Sequence, residues 1–91
     1  MNEIEKIKQE YVLSVDGLDF SVKGRISERI NGTPDQRFSF RMSHYCRPSE
    51  KAATVYYPSK VSFSTFNDAE ESLLSYLTSF TTIDVTSNKG Y

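Results

Sequence analysis

Tyr11-Val12-Leu13-Ser14-Val15-Asp16-Gly17-Leu18-Asp19-Phe20-Ser21-Val22 is the stretch that decides the fold. Tyr11, Leu13 and Val15 alternate with Val12, Ser14 and Asp16, the period of two of a strand that buries one face. Asp16-Gly17 is a preferred two-residue connection for a type I′ hairpin, in which both central residues take positive φ. Pairing across that turn sets Val15 opposite Leu18, Leu13 opposite Phe20 and Tyr11 opposite Val22. All three pairs are apolar and share a face, so turn chemistry and hydrophobic pattern specify one register.

The alternation continues from Leu18 to Ile30 and, beyond a loop at Asn31–Gln36, from Arg37 to Arg47. One face of these two strands collects Leu18, Phe20, Val22, Ile26, Ile30, Phe38, Phe40 and Met42. The other collects Lys23, Arg25, Arg29, Arg37, Arg41, Tyr45 and Arg47. A register that pairs Ile26 with Phe40 also sets Arg25 against Arg41, Arg29 near Arg37 and Asp19 near Arg47. Like charges directly opposite each other in a sheet cost stability. An anionic partner would remove that cost, so the cationic row is the candidate binding surface. Arginine forks suit carboxylates and phosphates, and arginine and tyrosine are enriched at protein interfaces.

Outward from this centre, Asn2–Glu10 reads as a short helix, with Asn2 as cap, Glu5 three residues on and Ile4, Ile7 and Tyr11 on one stripe. Ala53–Tyr57 reads as a strand ended by Pro58. Val61, Phe63 and Thr65 extend it or form a separate short strand. A helix over 68–80 follows, capped by Asn67, with Ala69, Leu73, Tyr76, Leu77 and Phe80 on one face. Thr82–Thr86 reads as a final short edge strand, and Ser87–Tyr91 as a mobile tail. Together these predict a single α+β domain spanning residues 1–91. Its antiparallel sheet is a meander of three to four strands plus a short C-terminal strand. A short N-terminal helix accompanies it, and helix 68–80 packs on one face.

The net charge of −1 conceals an asymmetry. Residues 21–60 hold eight bases against three acids, while both flanks are acidic. The single cysteine, Cys46, excludes an internal disulfide and fits a reducing, cytoplasmic setting. The start of the chain lacks the apolar run of a secretion signal, and no stretch approaches the ~20 apolar residues of a membrane span.

Several constellations carry less chemistry than they suggest. His44 and Cys46 share a strand face as a nucleophile and base might, yet they continue the apolar row and have no orienting third group. One histidine and one cysteine cannot supply a structural zinc site, and the aspartates lack calcium-loop spacing. Asp68, Glu70 and Glu71 complement a helix start. Of Tyr56 and Tyr57, one is expected inside and the other exposed. No cofactor is implied.

The expectation is a non-enzymatic domain that binds a protein partner with an acidic surface through the arginine-rich face, as a monomer or an edge-strand homodimer. The alternative is a nucleic-acid binder using the same face, and the third class is a small Cys-dependent enzyme. In size and style alone, the chain is similar to phage and mobile-element inhibitors, anti-CRISPR proteins among them. That similarity implies a stoichiometric inhibitor or adaptor.

Overall fold

A computed structural model describes residues 4–31, 33–89 and 91. Its main layer is a four-stranded antiparallel sheet of β1 (Glu5–Leu13), β2 (Val22–Arg29), β3 (Phe38–Met42) and β5 (Ser62–Phe63), in the spatial order β1-β2-β3-β5. A helix, α1 (Phe66–Thr78), covers one face. Two short strands, β4 (His44–Tyr45) and β6 (Thr86–Ser87), pair beside it as a separate ribbon. The architecture is the α+β meander expected from the pattern, with three elements reassigned.

The first reassignment is the N-terminus. Residues 5–10 belong to β1, not to a helix, and Asn2, the expected cap, lies outside the described residues. A two-turn helix is marginal on its own. As a strand, the segment instead pairs with the whole of β2 from Leu13↔Val22 to Glu5↔Arg29, with a bulge between Ile7 and Gln9. Tyr11 then donates its hydroxyl proton to Glu70 of α1, tying this strand to the helix.

The Asp16-Gly17 turn forms, with Leu18 N–H donating to the Val15 carbonyl at 3.1 Å. Only Gly17 takes positive φ (96°), so the turn is not type I′. Strand pairing begins at Leu13↔Val22 and puts Tyr11 opposite Gly24, two residues away from the simple hairpin register. A two-residue slip preserves which face each side chain occupies. That is why the core assignment survives: Val22 and Ile26 are fully buried. Phe20 and Ile30, at the ends of the alternating run, are exposed.

The β2–β3 register is the expected one, with Ile26↔Phe40 and Arg25↔Arg41. Phe40, Met42 and Phe63 continue the core, and Ala69, Leu73 and Leu77 of α1 close it. The helix starts two residues earlier than the sequence suggested: Thr65, not Asn67, is the cap, and its Oγ1 accepts from Asp68 N–H at 3.2 Å. Gly24 allows α1 to approach this closely. A Cβ there would lie 2.8 Å from Leu73 Cδ1 and 3.3 Å from Leu77 Cδ1.

Ala53–Tyr57 is irregular loop instead of a strand, because β5 takes the position beside β3. The C-terminal strand is Thr86–Ser87, not Thr82–Thr86, and pairs with β4, so it is an edge strand of the two-stranded ribbon and not of the main sheet, whose edges are β1 and β5. The described part of the expected mobile tail is tethered. Asn88 Nδ2–H and N–H donate to the carbonyls of Met42 and Ser43, both at 2.8 Å. Among the described residues no helix is long and apolar enough to cross a membrane.

Candidate functional site

Directly paired residues of an antiparallel sheet project to the same face. The pairs Val12↔Lys23, Glu10↔Arg25, Glu5↔Arg29 and Arg25↔Arg41 therefore define one surface, on the side of the sheet away from α1. It holds four of the seven residues expected to bind a partner: Lys23, Arg25, Arg29 and Arg41. The serines Ser27 and Ser39 pair at its centre and are buried, so the longer side chains around them close over the backbone.

The other three residues go elsewhere. Arg37 leaves the strand conformation (φ −63°, ψ −38°), and its guanidinium bonds Glu28 on the opposite face. Glu28 is buried, with Lys8 Nζ 3.7 Å from it. The hydrogen bond from Arg37 holds its carboxyl below the ordinary carboxylate range, against the opposing effect of burial. Past Ser43 the chain leaves the main sheet to pair with β6, and strict alternation stops. Tyr45 consequently turns inward, packing on the core and against the rings of Tyr57 and Tyr76. Arg47 reaches Asp84 at 3.2 Å and donates to the Ala52 carbonyl at 3.1 Å. Asp19 and Arg47 both lie beyond the paired ends of β2 and β3, and the ion pair of Arg47 is with Asp84.

The four cations that remain together are incompletely balanced. Glu5 is 3.9 Å from both Arg29 Nε and Arg41 Nη2, outside hydrogen-bond reach. Arg29 Nε is buried without a hydrogen-bond acceptor. Exposed ion pairs at such distances contribute ~0–1 kcal/mol. Glu10, the second acid of the surface, accepts from the Tyr91 hydroxyl at 3.2 Å. Tyr91 also lies beneath the Arg25 guanidinium, 4.5 Å from ring centroid to Cζ, and its main-chain oxygen accepts from Arg25 Nη2 at 2.5 Å. Burial, then the Glu10 carboxylate, push the Tyr91 phenol above its usual range. The surface is completed by Ile7 and Val12 of β1, both more than half exposed (56% and 62%).

Tyr91, Glu5, Glu10, Ile7 and Val12 were missing from the expected site. The helical assignment of residues 2–10 hid the β1 contributions. Nothing in the tail composition marked Tyr91 as a docked residue.

The helix side of the molecule carries a groove of about 640 Å³. Phe40, Cys46 and Phe63 line it together with Tyr56, Tyr76 and Lys60. Tyr76 is its organising residue: the hydroxyl donates to the Tyr56 carbonyl at 2.7 Å and accepts from Cys46 N–H at 3.2 Å. Burial pushes its phenol up to about 12. Tyr56 and Tyr57 are both exposed, contrary to the expected split, yet Tyr56 stacks on Tyr76 and Tyr57 packs at a tilt against Tyr45.

His44 and Cys46 have separate partners. Ser43 Oγ accepts from Lys23 N–H at 2.7 Å and sits 2.8 Å from His44 Nδ1, while Phe20 stacks on the imidazole at 4.6 Å. Cys46 is buried and unpaired, and its Sγ accepts from Thr81 N–H at 3.3 Å. Among the described residues no group of three His, Cys, Asp or Glu side chains is placed to hold a metal ion.

Comparison of the chain with protein-family models, with curated proteins and with solved structures gives no match.

Proposed function

We propose that this chain is a small non-enzymatic protein-binding domain, an inhibitor or adaptor that contacts an acidic surface of its target through the open sheet face. One observation carries the reading: Arg25 stands directly opposite Arg41, with Lys23 and Arg29 beside them and, among the described residues of β1 to β3, the carboxylates of Glu5 and Glu10 on the same surface. Folding gains nothing from opposing two arginines. An incoming carboxylate surface gains bidentate partners from them.

The neighbouring residues favour protein over nucleic acid. Exposed Ile7 and Val12 supply apolar contact area, as in the mixed composition of protein interfaces. Glu5 and Glu10 would repel a polyphosphate backbone, and the net charge of −1 supplies little long-range attraction to one. A reducing, cytoplasmic setting suits the buried free thiol of Cys46.

The test compares the native chain with the Arg25→Glu/Arg41→Glu double variant at matched thermal stability, as baits in the native host's lysate. The reading expects a captured protein that the double variant no longer holds and whose binding to the purified native chain is direct. Capture unaffected by the double reversal would overturn it. So would binding confined to oligonucleotides with a steep dependence on salt.

A further inference from the structure

We infer that Arg25 and Glu10 form a seat for a tyrosine-bearing segment of the partner protein, a seat that the chain's own Tyr91 fills in its absence. The inference deepens the reading above and rests on it, since it names what the open face recognises.

Three different chemistries converge on Tyr91. The guanidinium of Arg25 covers the ring at 4.5 Å, a cation–π contact. The same guanidinium donates to the main-chain oxygen at 2.5 Å. Glu10 accepts the phenolic proton at 3.2 Å. The two seat residues face each other across the β1–β2 ladder, so the sheet itself fixes their spacing. A ring alone would satisfy the first contact and any carbonyl the second. Only a phenol satisfies the third, and that selects tyrosine over phenylalanine.

The hold on Tyr91 is local and exchangeable. The segment is anchored through Asn88, which donates to the Met42 and Ser43 carbonyls at 2.8 Å and to the Tyr45 hydroxyl at 3.3 Å, none of them part of the seat, and its own carbonyl accepts from Tyr91 N–H at 3.3 Å. Releasing Tyr91 therefore leaves the β4–β6 ribbon and its anchor in place. Tyr91 is only half-buried, so no core contact is lost. A tethered occupant competes with an effective concentration on the order of millimolar for a short tether. A partner must present its tyrosine together with the acidic contacts to Lys23, Arg29 and Arg41 to displace it.

The experiment uses the full chain carrying Tyr91→Ala and an N-acetylated, C-amidated peptide of residues 87–91, Ser-Asn-Lys-Gly-Tyr. Binding is followed by NMR shifts. The inference expects saturable shifts centred on Glu10 and Arg25 in Tyr91→Ala, with binding to the wild-type chain weaker by about tenfold or more. Replacing the peptide's tyrosine by phenylalanine should weaken binding roughly tenfold, through loss of a hydrogen bond to a charged acceptor. No saturable binding to Tyr91→Ala, equal binding of the two peptides, or equal binding to both chains would overturn it. The two readings fail separately. Loss of the seat leaves capture through Arg41 and Lys23 standing, whereas capture insensitive to Arg41→Glu sinks the face and leaves the peptide result intact.

Discussion

Arg41 faces Arg25 directly across the β2–β3 ladder, and its ion-pair partner among the described residues, Glu5, is 3.9 Å away and shared with Arg29. A like-charge pair so weakly compensated marks a residue retained for something other than stability. Arg41→Thr keeps β propensity and removes the repulsion. It should leave the unfolding free energy within about 0.5 kcal/mol of wild type, or raise it. Urea titration checks this, and a loss above about 1 kcal/mol would make Arg41 a structural residue.

Gly24 sits under α1 for lack of a side chain. Gly24→Ala should destabilise by about 1–3 kcal/mol, because its Cβ meets Leu73 Cδ1 at 2.8 Å in a buried position. Leu73→Val in the same chain should cost less than the two single losses added together, since the shortened side chain makes room. Thermal denaturation of the four-member cycle reads the coupling.

Tyr76 holds the groove together through one hydroxyl. Tyr76→Phe should cost about 1–2 kcal/mol, as it leaves the Cys46 N–H without its acceptor. The phenol's folded value is about 12 against an ordinary 10.0. The folded state therefore keeps the proton more tightly, and its contribution is complete below pH 10 and lost as pH climbs toward 12. Stability measured from pH 9 to 12 should fall more steeply for wild type than for Tyr76→Phe.

At the acid end, Glu28 acts in the opposite sense. Its folded value is lowered by Arg37 from an ordinary 4.5, so its contribution is present above about pH 4.5 and lost as pH falls through the lower folded value. Glu28→Gln should flatten the acid limb of the stability profile. An unchanged slope below pH 4.5 would remove Glu28 from the account.

Much of the fold could be read because the strongest signals were local and mutually consistent. Val22, Ile26, Phe40 and Met42 declared the core face by alternation, and Ala69, Leu73 and Leu77 did so by helical spacing. The β2–β3 register followed from matching those faces. The N-terminus misled because Ile4, Ile7 and Tyr11 fit a helical stripe, yet Ile4 and Ile7 are exposed and Tyr11 alone reaches the core. In so short a segment, pairing along β2 outweighs periodicity. The site was half legible for a related reason. Alternation located Lys23, Arg25, Arg29 and Arg41, but it cannot foresee where a strand ends. Ser43 breaks the pattern, so Tyr45 and Arg47 go elsewhere, and the turn conformation at Arg37 sends its side chain to Glu28. Tyr91 is a contact across 66 residues of chain and leaves no local trace.

Arginine-selective covalent labelling of the complex with the captured partner tests the central claim most directly, because the chain carries its own controls. Arg37 and Arg47 lie off the open face, bonded to Glu28 and Asp84. The account predicts that Arg25, Arg29 and Arg41 lose reactivity on complex formation while Arg37 and Arg47 keep theirs. Equal reactivity of Arg25, Arg29 and Arg41 with and without partner, or protection of Arg37 and Arg47 alone, would contradict it.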